Sequence, residues 1–127
     1  MLAKTPLVAF VATTDLERAR SFYGDSLGLP LVDRSPFAYV FDANGTSLRV
    51  TLAERVQPAP YTVLGWEVPD AVEGVRALAS EGITPQRYPH MTQDDLGIWD
   101  APSGARVAWF QDPDGNVLSL SQSGIAP

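Results

Sequence analysis

The feature that most constrains this chain is an internal repeat. The segment FDANGTSLRV at residues 41–50 is echoed by QDPDGNVLSL at residues 111–120. Asp42 matches Asp112, Gly45 matches Gly115, Leu48 matches Leu118 and Val50 matches Leu120, all 70 residues apart. Upstream, VATTDLERARSFYGDSLGL at residues 11–29 resembles WEVPDAVEGVRALASEGI at residues 66–83, with Asp15 and Asp70 only 55 residues apart. A unit written twice within 127 residues implies two copies of one supersecondary pattern inside the length of one ordinary domain.

Each copy has the same order of elements. A strand (residues 7–12, then 61–68) leads to a helix announced by an Asp, whose carboxylate can accept from the unpaired N–H groups of the first turn. Leu16, Ala19, Phe22, Tyr23 and Leu27 fall on one side of the first helix, and Val72, Val75, Leu78 and Ala79 on one side of the second. That is the spacing of an amphipathic helix lying on a sheet. Gly28 and Gly82 supply the stops. Strands follow at 31–33, 37–41 and 47–52, and again at 84–88, 105–111 and 116–122. The pattern is βαβββ twice, an α+β fold: module one spans 5–54, a Pro-bearing linker 55–60 and module two 61–123. The change of offset from 55 to 70 locates an insertion at YPHMTQDDLGIWDAPSG, residues 88–104. Loops of that length in a compact domain tend to carry function, and this one holds the sole histidine, His90, with Met91 and Trp99.

Composition narrows the function classes. An apolar share of 45% is enough for a core, and no run approaches the roughly 20 apolar residues of a membrane helix. No secretory leader is visible at the start of the chain and there are no cysteines, so a cytoplasmic protein without disulfides or thiolate metal sites is expected. The net charge is −6 with no Lys/Arg cluster, which argues against nucleic acid as a partner.

Both turns, D-A-N-G and D-P-D-G, end in Gly and read as three-residue hairpin loops with a bulge at that Gly. That register sets Trp109 opposite Ser119 and Val107 opposite Ser121. In the first copy it sets Tyr39 opposite Arg49, Phe41 opposite Ser47 and Phe37 opposite Thr51. Alternation then separates two faces. Ala38, Val40, Leu48, Val50 and Leu52, with Ala108, Phe110, Leu118 and Leu120, form an apolar face for the helices, which Trp66 joins. The other face holds Phe37, Tyr39, Arg49, Thr51, Trp109, Gln111, Ser119 and Ser121. Aromatics interleaved with a few hydrogen-bonding groups suit a small-molecule pocket, whereas a solvated sheet would carry Lys and Glu.

On TTDLERARSFYGDSLGL, on VAWFQDPDGNVLSLSQ and on the paired βαβββ layout, the chain resembles the vicinal oxygen chelate superfamily. This is the group of glyoxalase I, bleomycin-resistance proteins, fosfomycin-resistance enzymes and extradiol dioxygenases. The resemblance implies modules that curve into a mixed-sheet cup with helices outside, often completed by a second copy of the chain, hence a homodimer. It also implies where a divalent ion would sit, on His, Glu or Gln from the first and last strands of each module. Those positions are occupied here by Val8, Arg49, Val63 and Ser119. Valine has no donor atom, Arg stays protonated and a lone Ser hydroxyl is a weak ligand, so the resemblance implies no metal residues and no cofactor in this chain.

The expected function is metal-free binding or sequestration of a small aromatic or planar drug or metabolite, as in bleomycin resistance and antibiotic resistance generally. Phe37, Tyr39, Trp99 and Trp109 would supply apolar contact; Arg49, Thr51, Gln111, Ser119 and Ser121 would orient polar groups. The acidic balance suits a cationic ligand and Arg49 an anionic one. The alternative is a lyase, isomerase or transferase of the same superfamily. There Arg49 would stabilise an oxyanion and His90 or Glu67 would move protons, or a metal would sit at residues not identified. Each polar residue also has a structural reading: Arg49 as an ion pair with Glu67, His90 as an exposed loop side chain, Asp94 and Asp95 as a solvated loop tip.

Overall fold

The structure, a computed structural model, describes residues 1–124. These fall into two compact units that divide after Pro58, and each is a βαβββ module built around its own four-stranded mixed sheet.

Module one contains β1 (Val8–Thr13), α1 (Leu16–Arg20), β2 (Leu31–Arg34), β3 (Ala38–Ala43) and β4 (Thr46–Leu52). The strand order is β1-β4-β3-β2, with β1 parallel to β4 and the remaining pairs antiparallel. Asp15, extended at φ −149°, caps α1 by accepting from the Arg18 N–H at 3.0 Å. After one and a half turns the helix loosens into a π-helical turn (Ser21–Ser26), where Leu27 N–H reaches the Phe22 carbonyl at 2.9 Å. The wider turn keeps the adjacent Phe22 and Tyr23 both buried, their rings edge to face at 5.0 Å. They pack with Ala19 in a core that holds Val11, Phe41, Leu48 and Val50. Full burial of each large side chain contributes about 1.5–3 kcal/mol.

Module two contains β5 (Thr62–Glu67), α2 (Ala71–Ser80), β6 (Trp99–Asp100), β7 (Arg106–Gln111) and β8 (Val117–Gln122), in the order β5-β8-β7-β6. Asp70 caps α2 through the N–H groups of Val72 and Glu73, at 3.0 and 3.3 Å. Ala71, Val75 and Leu78 turn inward with Ile98, Ala108, Phe110, Leu118 and Leu120. Trp66 joins this side, 6.4 Å from the Phe110 ring. Among the described residues no helix is long and apolar enough to cross a membrane.

Two expectations need correction. Residues 84–88 do not form the edge strand of module two; the two-residue β6 pairs there with β7 instead. Pro85 has no N–H to give to a ladder, and only Gln86 N–H bonds across to the Trp109 carbonyl, at 2.7 Å. The second correction concerns the first hairpin. Its register pairs Tyr39 with Val50, Val40 with Arg49 and Phe41 with Leu48, one residue away from the expected pairing. Ala43 pairs with Thr46, so the loop is only Asn44-Gly45, with φ of 52° and 93°. Positive φ at both positions is the two-residue type I′ turn that Asn-Gly favours. In module two the position of Ala43 is held by Pro113, which has no N–H with which to close a two-residue loop. There the chain makes the longer turn, Gly115 N–H bonding the Asp112 carbonyl and Asp112 N–H the Asn116 carbonyl, both at 3.0 Å. Its register sets Trp109 against Ser119 and Val107 against Ser121, as the sequence implied.

Candidate functional site

The register change sorts the side chains of module one differently from the sequence reading. Cross-strand partners share a face, so Tyr39 and Phe41 lie with Leu48 and Val50 on the helix side, and Ala38 and Val40 lie with Arg49 and Thr51 on the side turned from the helix. The Tyr39 hydroxyl donates to the Glu17 carboxylate on α1 at 2.6 Å, and the Arg34 guanidinium sits 5.0 Å over the Tyr39 ring. Arg34 and Arg20 also bond Glu17, at 2.8 and 3.1 Å. The Tyr39 hydrogen bond, followed by those two guanidinium groups, holds the Glu17 carboxyl at about 2, against an ordinary 4.5. Tyr39 is thus part of a clip between helix and sheet. Phe37 precedes β3 and is 75% exposed. Arg49 is exposed, with its guanidinium 5.6 Å over the ring of Phe10, its neighbour on β1.

Module two gathers more. On the helix-free side of its sheet, Gly65, Ser119 and Trp109 form one row across β5, β8 and β7, and Glu67, Ser121 and Val107 the next. Gly65 is required there: a Cβ would come 2.8 Å from the Ser119 hydroxyl oxygen. The Trp109 indole N–H donates to the Thr62 hydroxyl at 3.1 Å, which draws the ring across β8. Trp99 on β6 pairs with Val107 and brings its ring within 6.0 Å of Trp109. Gln111 is exposed at the end of β7, and Ser121 is half-buried.

The inserted arm folds against this row. Tyr88 stands at 89° to Trp109 with ring centroids 5.6 Å apart, and His90 lies 6.0 Å beyond it. One side chain fastens the arm. The Gln93 amide oxygen accepts from Tyr88 N–H at 2.8 Å, and its nitrogen donates to the carbonyls of Gln86 and Gly97 at 2.9 and 2.8 Å. Asp94 accepts from the N–H groups of Leu96 and Ile98, both at 2.9 Å, and meets Arg106 at 3.5 Å. It is an exposed turn residue, as expected, with its carboxylate held by these contacts. Asp95 lends its backbone carbonyl to Arg87 at 2.9 Å.

Arm and sheet enclose a cleft of about 250 Å³. Trp109, Tyr88, His90 and Met91 line one part, and Tyr61, Thr62, Pro60 and Val117 the rest. Of the residues singled out in the sequence, Trp109, His90 and Met91 border it directly and Trp99 backs Trp109. Tyr61, Thr62 and Tyr88 were not foreseen. The aromatic content of the insertion was the available signal for Tyr88, but nothing in the spacing announced that the start of β5 would face it. Arg49, Thr51, Tyr39 and Phe37 belong to module one and do not line it.

A family model described as the Glyoxalase/Bleomycin resistance protein/Dioxygenase superfamily matches residues 6–120. The chain belongs to this superfamily. Its similarity extends to the uncharacterized protein YraH of Bacillus subtilis (strain 168), 29% identical over 121 residues, covering 84% of this chain and 88% of that protein. Among solved structures, a member of the superfamily from Sphaerobacter thermophilus DSM 20745 is 25% identical with a TM-score of 0.71, over 97% of this chain and all of that one. Lactoylglutathione lyase from Agrobacterium tumefaciens superposes with a TM-score of 0.74 at 17% identity, over 96% of each chain. At that identity only the fold is shared.

Membership raises the question of a metal. In module one the strand positions concerned hold Val8 and Arg49, which share the helix-free side of the sheet; in module two they hold Val63 and Ser119. Neither pair fits a divalent cation, because two have no donor atom and one is itself a cation. Among the described residues no three His, Cys, Asp or Glu side chains come together.

Proposed function

We propose that this superfamily member binds and sequesters a small planar aromatic molecule, a drug or a metabolite, in the cleft of module two, with no metal and no chemical step. The observation that carries the reading is the pair of rings, Trp109 and Tyr88, set at right angles beside an open volume of about 250 Å³. Ligand pockets are mostly apolar with a few polar groups that fix orientation. Here the Thr62 hydroxyl, His90 and the serines behind Trp109 would serve. The volume is slightly below the ~300 Å³ at which drug-sized pockets begin, so one or two fused rings would be buried and the rest of a larger ligand would project outward. A homodimer in the cytoplasm is the setting this reading assumes. The test is titration with a panel of one- to three-ring planar aromatics, read by tryptophan emission. Saturable quenching is expected, with affinity falling about tenfold or more in Trp109→Ala, the loss typical of a truncated aromatic anchor. Unchanged affinity in that variant refutes the reading.

A second reading rests on Arg49. It is exposed on the helix-free side of module one, and its nearest ring, Phe10, leaves its N–H groups available to an anion. A planar guanidinium grips a carboxylate or enolate in bidentate fashion, and the fold is shared with a lactoylglutathione lyase. The chain would then be a lyase, isomerase or transferase with Arg49 as oxyanion stabiliser. Turnover of an α-keto or enolisable substrate that disappears in Arg49→Met would establish this; turnover that survives the change would dismiss it.

A further inference from the structure

We infer that the aromatic cleft of module two selects cations, so that its ligand is a planar aromatic carrying a methylated or otherwise delocalised positive nitrogen. The inference rests on the binding reading above and adds the charge of the ligand to it.

The first observation is how charge divides between the modules. Residues 1–58 carry six acidic and six basic side chains, whereas residues 59–127 carry nine acidic and three basic. The whole net charge of −6 therefore belongs to module two. Its three arginines are all engaged away from the cleft. Arg76 pairs with Glu73 at 3.6 Å, Arg106 with Asp100 and Asp94 at 2.9 and 3.5 Å, and Arg87 bonds the Asp95 carbonyl. The cleft is lined by no Lys or Arg and by no Asp or Glu, so the field a ligand meets there is set by the negative balance of the module around it.

The second observation is the shape of the walls. Two rings at 89° make a corner, not a slot for stacking on both faces. Tyr61 and Met91 extend the corner with a third ring and a polarizable sulfur. The indole N–H of Trp109 is already committed to Thr62, so what the ring offers a ligand is its electron-rich π system. A ring face attracts a cation and does not attract an anion, and several rings around one site are how quaternary ammonium groups are recognised without a carboxylate. A methylated nitrogen is also cheap to desolvate compared with a primary ammonium, which would leave N–H donors unpaired against hydrocarbon. The opposing pulls of the acidic composition and of Arg49 thereby separate, since Arg49 does not line this cleft.

Three probes on one ring system test the inference with the intact protein. They are N-methylquinolinium, 4-methylquinoline and quinoline-4-carboxylate, titrated calorimetrically at pH 8 and about 0.15 M salt. The expected order is cation, neutral, anion, with the cation about tenfold tighter than the neutral probe. Tyr88→Leu, which keeps apolar volume and removes a ring, should compress that ratio to within threefold. Equal affinity for the cationic and neutral probes, or tighter binding of the anion, overturns the inference and leaves the binding reading standing. Failure of all three to bind overturns both.

Discussion

Gln93→Glu is the most informative single change, because it exchanges one NH2 group for a carboxylate oxygen and alters almost no volume. Gln93 gives three bonds to the arm, one accepted from Tyr88 N–H and two donated to the carbonyls of Gln86 and Gly97. Glutamate retains the first and loses the other two. At about 1 kcal/mol net per bond, that removes about 2 kcal/mol. The carboxylate is then also left facing two carbonyl oxygens from 2.8 and 2.9 Å. For a half-buried side chain we add about 1 kcal/mol for that repulsion, near the low end of the cost of an unsatisfied group. The total, about 3 kcal/mol, acts on a segment that can open without the rest of the module, so it should appear as local opening. The Tyr88 amide, which Gln93 protects, should exchange with solvent about 100-fold faster at pH 8, since each 1.4 kcal/mol is tenfold. The global melting temperature should move far less than a core lesion would move it. The sign of the pH effect also follows. Two acceptors beside the new carboxyl favour its protonated form, so its pKa rises in the folded state. The defect is therefore smallest below the ordinary glutamate value and reaches full size once pH exceeds the raised one. Exchange at Tyr88 equal to that of the parent protein at pH 8 would refute the assignment of Gln93 as the arm's fastener.

Three further outcomes are expected. Tyr39→Phe removes the largest influence on Glu17, so the Glu17 carboxyl should titrate clearly above its present value of about 2 in an NMR titration. Because a depressed carboxyl contributes stability that is complete above 4.5 and lost as pH falls toward 2, parent and variant should differ above pH 4.5 and converge at lower pH. Gly65→Ala places a methyl 2.8 Å from the Ser119 oxygen and should cost about 1–3 kcal/mol in denaturant unfolding, as overpacking does. In combination with Ser119→Ala most of that loss should be recovered, and a double-mutant cycle without coupling would contradict the close approach. Gly45→Ala, at φ 93°, should cost about 1 kcal/mol or more by the same measurement, through strain in the turn.

The paired modules were legible because their carriers are short-range and redundant: a capping Asp, a helix of period 3.6 and a Gly-ended hairpin, each present twice. Trp109 was placed correctly because Pro113 leaves its turn one option. Tyr39 was placed on the wrong face because the repeated D-x-x-G hides two different loops. They are distinguished by the residue after the Asp: Ala43 has an N–H to pair with Thr46 and close a two-residue loop, and Pro113 at the matching position has none. The Asn-Gly pair was the signal, and the likeness of the two copies masked it. Phe41 aligned with Phe110, 69 residues apart, would also have shown it, since both are buried under the helices. The cleft was legible only in part. Its arm was found by counting the insertion, but Gln93 and Thr62 act through contacts between segments distant in sequence, and no local pattern encodes such a contact.

The difference between the two turns bears on how tightly a duplicated unit is tied to its original geometry. A single added residue between Ala43 and Asn44 would give the first hairpin the loop of the second. Because that residue would be taken up in the loop, Ala43 would still face Thr46, Val40 would still face Arg49, and Tyr39 would stay on the helix side, where Ala108 stands in the sister hairpin. The sister sheets are thus one codon apart in the length of a loop and alike in which strand positions they turn toward the helix, so a duplicated unit can lengthen at its hairpin tip without re-sorting its faces.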